Sequence, residues 1–87
     1  MWCVYLVRIE KSGALYCGIT NDLDARIQAH REGRGAKYLR GKGVITLEWS
    51  MEAEDRSHAS KLEFAIKGLS KKQKEEIIKN SSDFKPK

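Results

Sequence analysis

Six residues in this chain have types and spacing that could do chemistry together. Tyr5, Tyr16, Gly18, Arg26 and His30 fall between residues 5 and 30, and Glu63 follows later. Arginine stays charged at all working pH values and binds phosphate through two parallel hydrogen bonds. Histidine donates, accepts or takes a proton near neutrality. A tyrosine has a pKa of about 10 and serves as a base only where nearby positive charge favours the phenolate. A glutamate turned toward the interior needs a partner, and a divalent cation is one. Glycine within a strand marks a bulge or a close approach, here room for a phosphate. Each also has a plain structural reading: core tyrosines, a strand end, solvated charges, and a surface pair of Glu63 with Lys67.

The elements that must position these groups are legible from pattern. Residues 2–10, WCVYLVRIE, and 15–20, LYCGIT, are rich in β-branched and aromatic types and read as two strands of an antiparallel hairpin. If Lys11 pairs with Ala14, Ile9 faces Tyr16, Val7 faces Gly18 and Tyr5 faces Thr20. Tyr5, Tyr16, Gly18 and Cys3 then share one face and Cys17 takes the other, which argues against a disulfide. Asn21 is the expected N-cap of a helix over 23–32, which stops at Gly33. Leu23 and Ile27 are spaced for burial on that helix, and Arg26 and His30 occupy a neighbouring stripe. Residues 33–43, GRGAKYLRGKG, form a glycine-rich loop with one short turn around 36–39. From Arg31 to Lys42 the chain carries five basic residues, Arg31, Arg34, Lys37, Arg40 and Lys42, against one acid, Glu32. A third strand over 44–52 places Ile45, Leu47, Trp49 and Met51 on one apolar face. A helix over 55–67 carries the apolar stripe Ala59, Leu62, Ala65, Ile66 with Leu69 beyond, and Ser70 with Gln73 signals a last capped helix ending near Asn80. The fold class expected is α+β, a three-stranded antiparallel sheet flanked by three helices in the order β-β-α-β-α-α.

A chain of 87 residues is one domain. The domain is expected over 1–80, with a flexible tail over 81–87. The net charge of +5 favours a polyanion as partner, or simply a lysine-rich surface. No apolar run is long enough to span a membrane. The start, MWCVYLVRIE, lacks a basic leader and a cleavage site, so the cytoplasm is the expected location. Cys3 and Cys17 fit reduced thiols, and neither histidine, His30 or His58, lies near a cysteine at zinc spacing.

Taken together and in this order, the motifs resemble a known family. Tyr5 lies in CVYLV and Tyr16 in LYCGIT, eleven residues on, followed by NDLDARIQAH and KLEFAIK. The chain is similar to the GIY-YIG nucleases, and to their small single-domain bacterial branch. The first triplet here is Cys3-Val4-Tyr5 and the second Tyr16-Cys17-Gly18, so the tyrosines and the glycine match while the packing residues differ. The resemblance implies a divalent-metal-dependent endonuclease that hydrolyses nucleic-acid phosphodiesters, in structure-directed cleavage during repair or recombination. It implies that Glu63 holds one divalent cation, magnesium or manganese. Arg26 would neutralise charge in the transition state, and Tyr5 would activate or orient water with Tyr16 hydrogen-bonded nearby. His30 would be an alternative base or a partner of Tyr5. Gly18, Arg34, Lys37, Tyr38, Arg40 and Lys42 are the expected nucleic-acid contacts. The expected partner is DNA before RNA, with a protein supplying targeting left open. The alternative on the same fold is a non-catalytic nucleic-acid-binding module or accessory protein.

Overall fold

The computed structural model describes residues 1–80 and Phe84. The chain runs β1 (Cys3–Ile9), β2 (Leu15–Thr20), α1 (Leu23–Arg31), a single 3-10 turn (Lys37–Leu39), β3 (Ile45–Glu52), α2 (Arg56–Lys67) and α3 (Lys71–Asn80). The three strands form one antiparallel sheet in the order β2-β1-β3. The expected class and element order are therefore found. The expected tail lies outside the described residues except for Phe84, which packs half-buried against the core beside Met51.

β1 is central because its sequence, CVYLVRI, is apolar at every position but one. A strand covered on both faces has no need for alternation with polar residues. Val4 and Leu6 enter a cluster with Cys17, Trp49, Ala59, Leu62 and Ile66, beneath α2 and α3. Tyr5, Val7 and Ile9 enter a second cluster with Ile27, Leu39 and Ile45, on the side of α1. The period of two along β1 thus divides the protein into two cores.

The hairpin register differs from the expected one by two residues. Tyr5 lies opposite Gly18 and Val7 opposite Tyr16. The turn is wider than a two-residue connection. Ile9 N–H donates to the Ala14 carbonyl at 2.8 Å and Gly13 N–H to the Ile9 carbonyl at 2.7 Å. A shift by an even number preserves faces. Tyr5, Tyr16 and Gly18 therefore still share a side, and Cys17 lies in the other core. Both cysteines are free.

The single apolar face expected for β3 is corrected. Trp49 pairs with Leu6 but Leu47 pairs with Val7, so Glu48 is an extra residue at a bulge. Ile45 and Leu47 then face the α1 side, while Trp49 and Met51 face α2 and α3. Strict alternation suits one buried face, and the bulge lets one strand serve both. Arg8 secures this irregularity. Its Nε donates to Glu48 at 3.0 Å, and one terminal nitrogen donates to Glu75 of α3 at 2.8 Å and to the Gly13 carbonyl at 3.1 Å.

The helix ends follow local chemistry. Asp22, not the expected Asn21, caps α1 by accepting from Ala25 N–H at 3.2 Å, because the Thr20 hydroxyl accepts from Asp22 N–H and sets the chain one residue later. Asp55 caps α2 through His58 N–H at 2.8 Å. Ser70 and Gln73 form the expected reciprocal capping box at the start of α3, with bonds of 2.9 and 3.1 Å.

Arg8→Ala should lower the unfolding free energy by about 1–2 kcal/mol, the partial exposure of Glu75 keeping it modest. Urea denaturation reads this as a lower midpoint at unchanged slope. An unchanged midpoint would show that the clamp does not hold the bulge to α3.

Candidate active site

The site begins with one buried hydrogen bond. Tyr5 Oη lies 2.8 Å from His30 Nε2, and the residues are 0% and 4% exposed. β1 supplies the tyrosine from the centre of the sheet, and the last turn of α1 supplies the histidine. The other ring nitrogen, Nδ1, accepts from the Ala36 N–H at 3.1 Å. A backbone amide only donates, so Nδ1 carries no proton. The neutral ring must hold its proton on Nε2 and donate it to the Tyr5 oxygen, an assignment made from the partners. Burial, and then the charge of Arg26, push the His30 pKa below its ordinary value. The ring therefore stays neutral at neutral pH.

Two glycines make room for this pair. A Cβ on Gly18 would lie 2.4 Å from Tyr5 Oη and 2.6 Å from its Cζ. A Cβ on Gly35 would lie 1.9 Å from His30 Nδ1 and 2.6 Å from Cε1. The sequence marks Gly18 as a place of close approach, but the space there is filled by the Tyr5 ring and is not left open for a phosphate. Gly35 escaped the sequence reading. Its only signal was a second glycine two residues after the one that ends the helix.

Around the pair the rings continue outward. Tyr16 meets His30 edge-on at 6.0 Å between centroids. Tyr38 stacks on Tyr16 at 5.9 Å and 16°. Lys42 Nζ sits 5.3 Å from the Tyr38 centroid. Arg26, exposed on α1, lies close enough to draw the Tyr5 pKa down. Burial outweighs it, and the Tyr5 hydroxyl is pushed up to about 12. Tyr5, Tyr16, Arg26, His30, Tyr38 and Lys42 are thus gathered on one side of the sheet. Arg34 is engaged by Glu32, at 2.9 Å through Nε, while Lys37 and Arg40 are exposed.

Glu63 stands on the other side of β2. It belongs to α2, and its charge joins burial in pushing the Cys17 thiol up to about 12. Cys17 is the residue between Tyr16 and Gly18, and its side chain points to the α2 layer. Glu63 therefore flanks the same stretch of the edge strand β2 as the tyrosines, from the opposite face. Its side chain is 24% exposed and pairs with Lys67 at 3.5 Å. Among the described residues no group of three or more His, Cys, Asp or Glu could hold a metal. A lone carboxylate fits magnesium better than calcium, because magnesium keeps its waters and takes further oxygens from substrate phosphates.

Comparison with known proteins follows the same lines. Residues 1–76 match the model of the GIY-YIG catalytic domain. A UPF0213 protein of Vibrio cholerae is 55% identical over 78 residues, covering 88% of this chain and 76% of its own. One of Yersinia pestis is 53% identical, covering 90% and 81%. The solution NMR structure of a UPF0213 protein from Bacillus halodurans superposes with a TM-score of 0.56 at 34% identity, covering 92% of this chain and 85% of that one.

Gly18→Ala and Gly35→Ala should each destabilise the protein by about 1–3 kcal/mol or more, because backbone or ring must move. Combined with Tyr5→Leu, Gly18→Ala should cost much less, read by urea denaturation as a non-additive cycle. Additive costs would show that the glycine does not serve the ring.

Stability should also depend on pH through His30. The unfolded imidazole titrates at about 6.5 and the folded one lower, so on acidification the unfolded chain takes its proton first. The contribution is full above about pH 7 and is lost as pH falls from there through the folded value. The difference in unfolding free energy between wild type and His30→Gln, measured from neutral to mildly acid pH, should shrink. A constant difference would contradict the neutral assignment.

Proposed function

This chain belongs to the GIY-YIG family, in the small single-domain branch of the UPF0213 proteins, and on that premise we propose that it is a divalent-metal-dependent endonuclease. The observation that carries the reading is the convergence of Tyr5, His30 and Arg26 on one point beside β2. A backbone phosphate crossing the β2 edge would meet Arg26 on one side and Glu63 on the other.

The geometry supports the following roles. Arg26 is the exposed cation that acts on both members of the pair, and it would meet the charge that builds on the phosphate as water attacks. His30 is a positioning residue. It holds the Tyr5 oxygen by donating from Nε2, and the Ala36 amide in turn holds its ring. Tyr5 at neutral pH is a neutral phenol that orients the attacking water. It takes the water's proton only as rising pH removes its own. Tyr16 buttresses His30 through its ring. Glu63 would hold one magnesium or manganese ion, which would act as a Lewis acid toward the leaving oxygen. Lys37 and Arg40 are exposed, and Lys42 lies over Tyr38; the three would follow phosphates. DNA is the proposed substrate before RNA, in repair or recombination in the cytoplasm, with a separate protein supplying targeting.

A second reading is supported by the high pKa of Tyr5. With a pKa of about 12 almost none of Tyr5 is phenolate at neutral pH, and a fold kept for binding alone would tolerate that. The two readings part on turnover.

Purified protein with labelled single-stranded, flap, branched and duplex DNA should cut in magnesium or manganese and not in chelator. Glu63→Ala should abolish cutting. Arg26→Ala should reduce kcat by about a hundredfold or more while changing Kd little. The logarithm of kcat should climb with pH from about 7 to beyond 9, and Tyr5→Phe should remove that climb. Salt-sensitive binding with no cutting in any metal would favour the binding module.

A further inference from the structure

The aromatic column that starts at His30 does not end in the core. It runs through Tyr16 to Tyr38, which is 52% exposed. A tyrosine this open usually samples several rotamers. This one is held. Its 3-10 turn is anchored by Leu39, buried in the cluster of Ile27 and Ile45, and closed by Leu39 N–H donating to the Ala36 carbonyl at 3.0 Å. Its inner face lies nearly parallel on Tyr16. Lys42, on a flexible stem, lies over the ring. A planar ring fixed in advance and capped by a movable cation loses little entropy on taking a second planar group.

The surroundings select what that group is. Lys37, Arg40 and Lys42 are exposed, and the one acid in the stretch, Glu32, is engaged by Arg34. A polyanion with flat rings fits this surface. In a continuous duplex both faces of each base are covered by its neighbours, so the ring would have nothing to take. An unpaired base offers a free face.

We infer that Tyr38 is a stacking platform for one unpaired nucleobase beside the scissile phosphate, so that the substrate is single-stranded or flapped nucleic acid. Lys42 then leaves the ring for the adjacent phosphate. The inference rests on the proposed nuclease reading for the location of the scissile bond. The chemistry shared by DNA and RNA, a base next to a phosphodiester, is what the platform reads.

The test measures binding without turnover. Fluorescence anisotropy in chelator would compare wild type, Tyr38→Ala and Tyr38→Phe on single-stranded DNA, single-stranded RNA, duplex DNA and a strand of abasic nucleotides. Tyr38→Ala should weaken binding of base-bearing single strands by about 5- to 100-fold. Tyr38→Phe, which keeps the ring, should retain most of the affinity. Wild type and Tyr38→Ala should bind the abasic strand and the duplex alike, which also shows that the variant is folded. The DNA and RNA arms tell which strand the platform prefers. An equal loss on every ligand, no loss on any, or a loss shared by Tyr38→Phe would overturn the inference. Cleavage by wild type but not by Glu63→Ala tests the nuclease reading separately, so either can fail alone.

Discussion

A buried hydrogen bond between a phenol and an imidazole is a demanding feature for so small a protein. Each polar atom withdrawn from water must find a partner, or it costs a large share of the folding free energy. Tyr5 and His30 meet this demand through each other and through the Ala36 amide. Among the described residues no buried side-chain polar atom is left without a partner. Much else in the structure serves that bond. The central position of β1 buries Tyr5, the last turn of α1 delivers His30, and the loop after α1 folds back so that one amide fixes the tautomer. Two positions without a Cβ allow the rings to lie where they do.

The two-sided sheet is the second constraint, and it follows from the first. Because one face of β1 is committed to the Tyr5 cluster, the other must be covered by different helices. α2 and α3 supply that cover with Leu62, Ile66, Ile77 and Ile78. β3 has to feed both layers, which a regular strand with apolar residues at every second position cannot do. The bulge at Glu48 resolves this, and Arg8 turns the irregular residue into part of an ionic link to α3. Helix packing and site assembly are therefore joined through one strand.

The edge strand β2 is where the two layers come closest to acting on one substrate. Tyr16 and Gly18 belong to the α1 side, while Cys17 between them lies against α2 near Glu63. An edge strand leaves backbone groups unpaired on one side. In the proposed nuclease that open edge is the route by which a phosphodiester would touch both layers. The exposed Tyr38 extends the α1 side outward, so the proposed site and the surface proposed to hold a substrate form one continuous feature.

What the sequence determined by itself was everything governed by local chemistry and by period. Alternation put Tyr5, Tyr16 and Gly18 on one face, and an even slip in register could not disturb that. The Ser70 and Gln73 box, the three helices and the resemblance to the GIY-YIG nucleases were legible for the same reason: each depends on residues near in sequence or on a fixed order of types. Tertiary structure alone decided the rest. The bulge in β3 exists because two cores compete for one strand. Gly35 matters only because a ring from α1 rests against it, and the space at Gly18 is filled because Tyr5 lies directly opposite. Glu63 takes the far side of β2 because α2 must cover the other core. These facts are set by which surfaces meet in the folded chain, and residue type and period alone do not say which will meet.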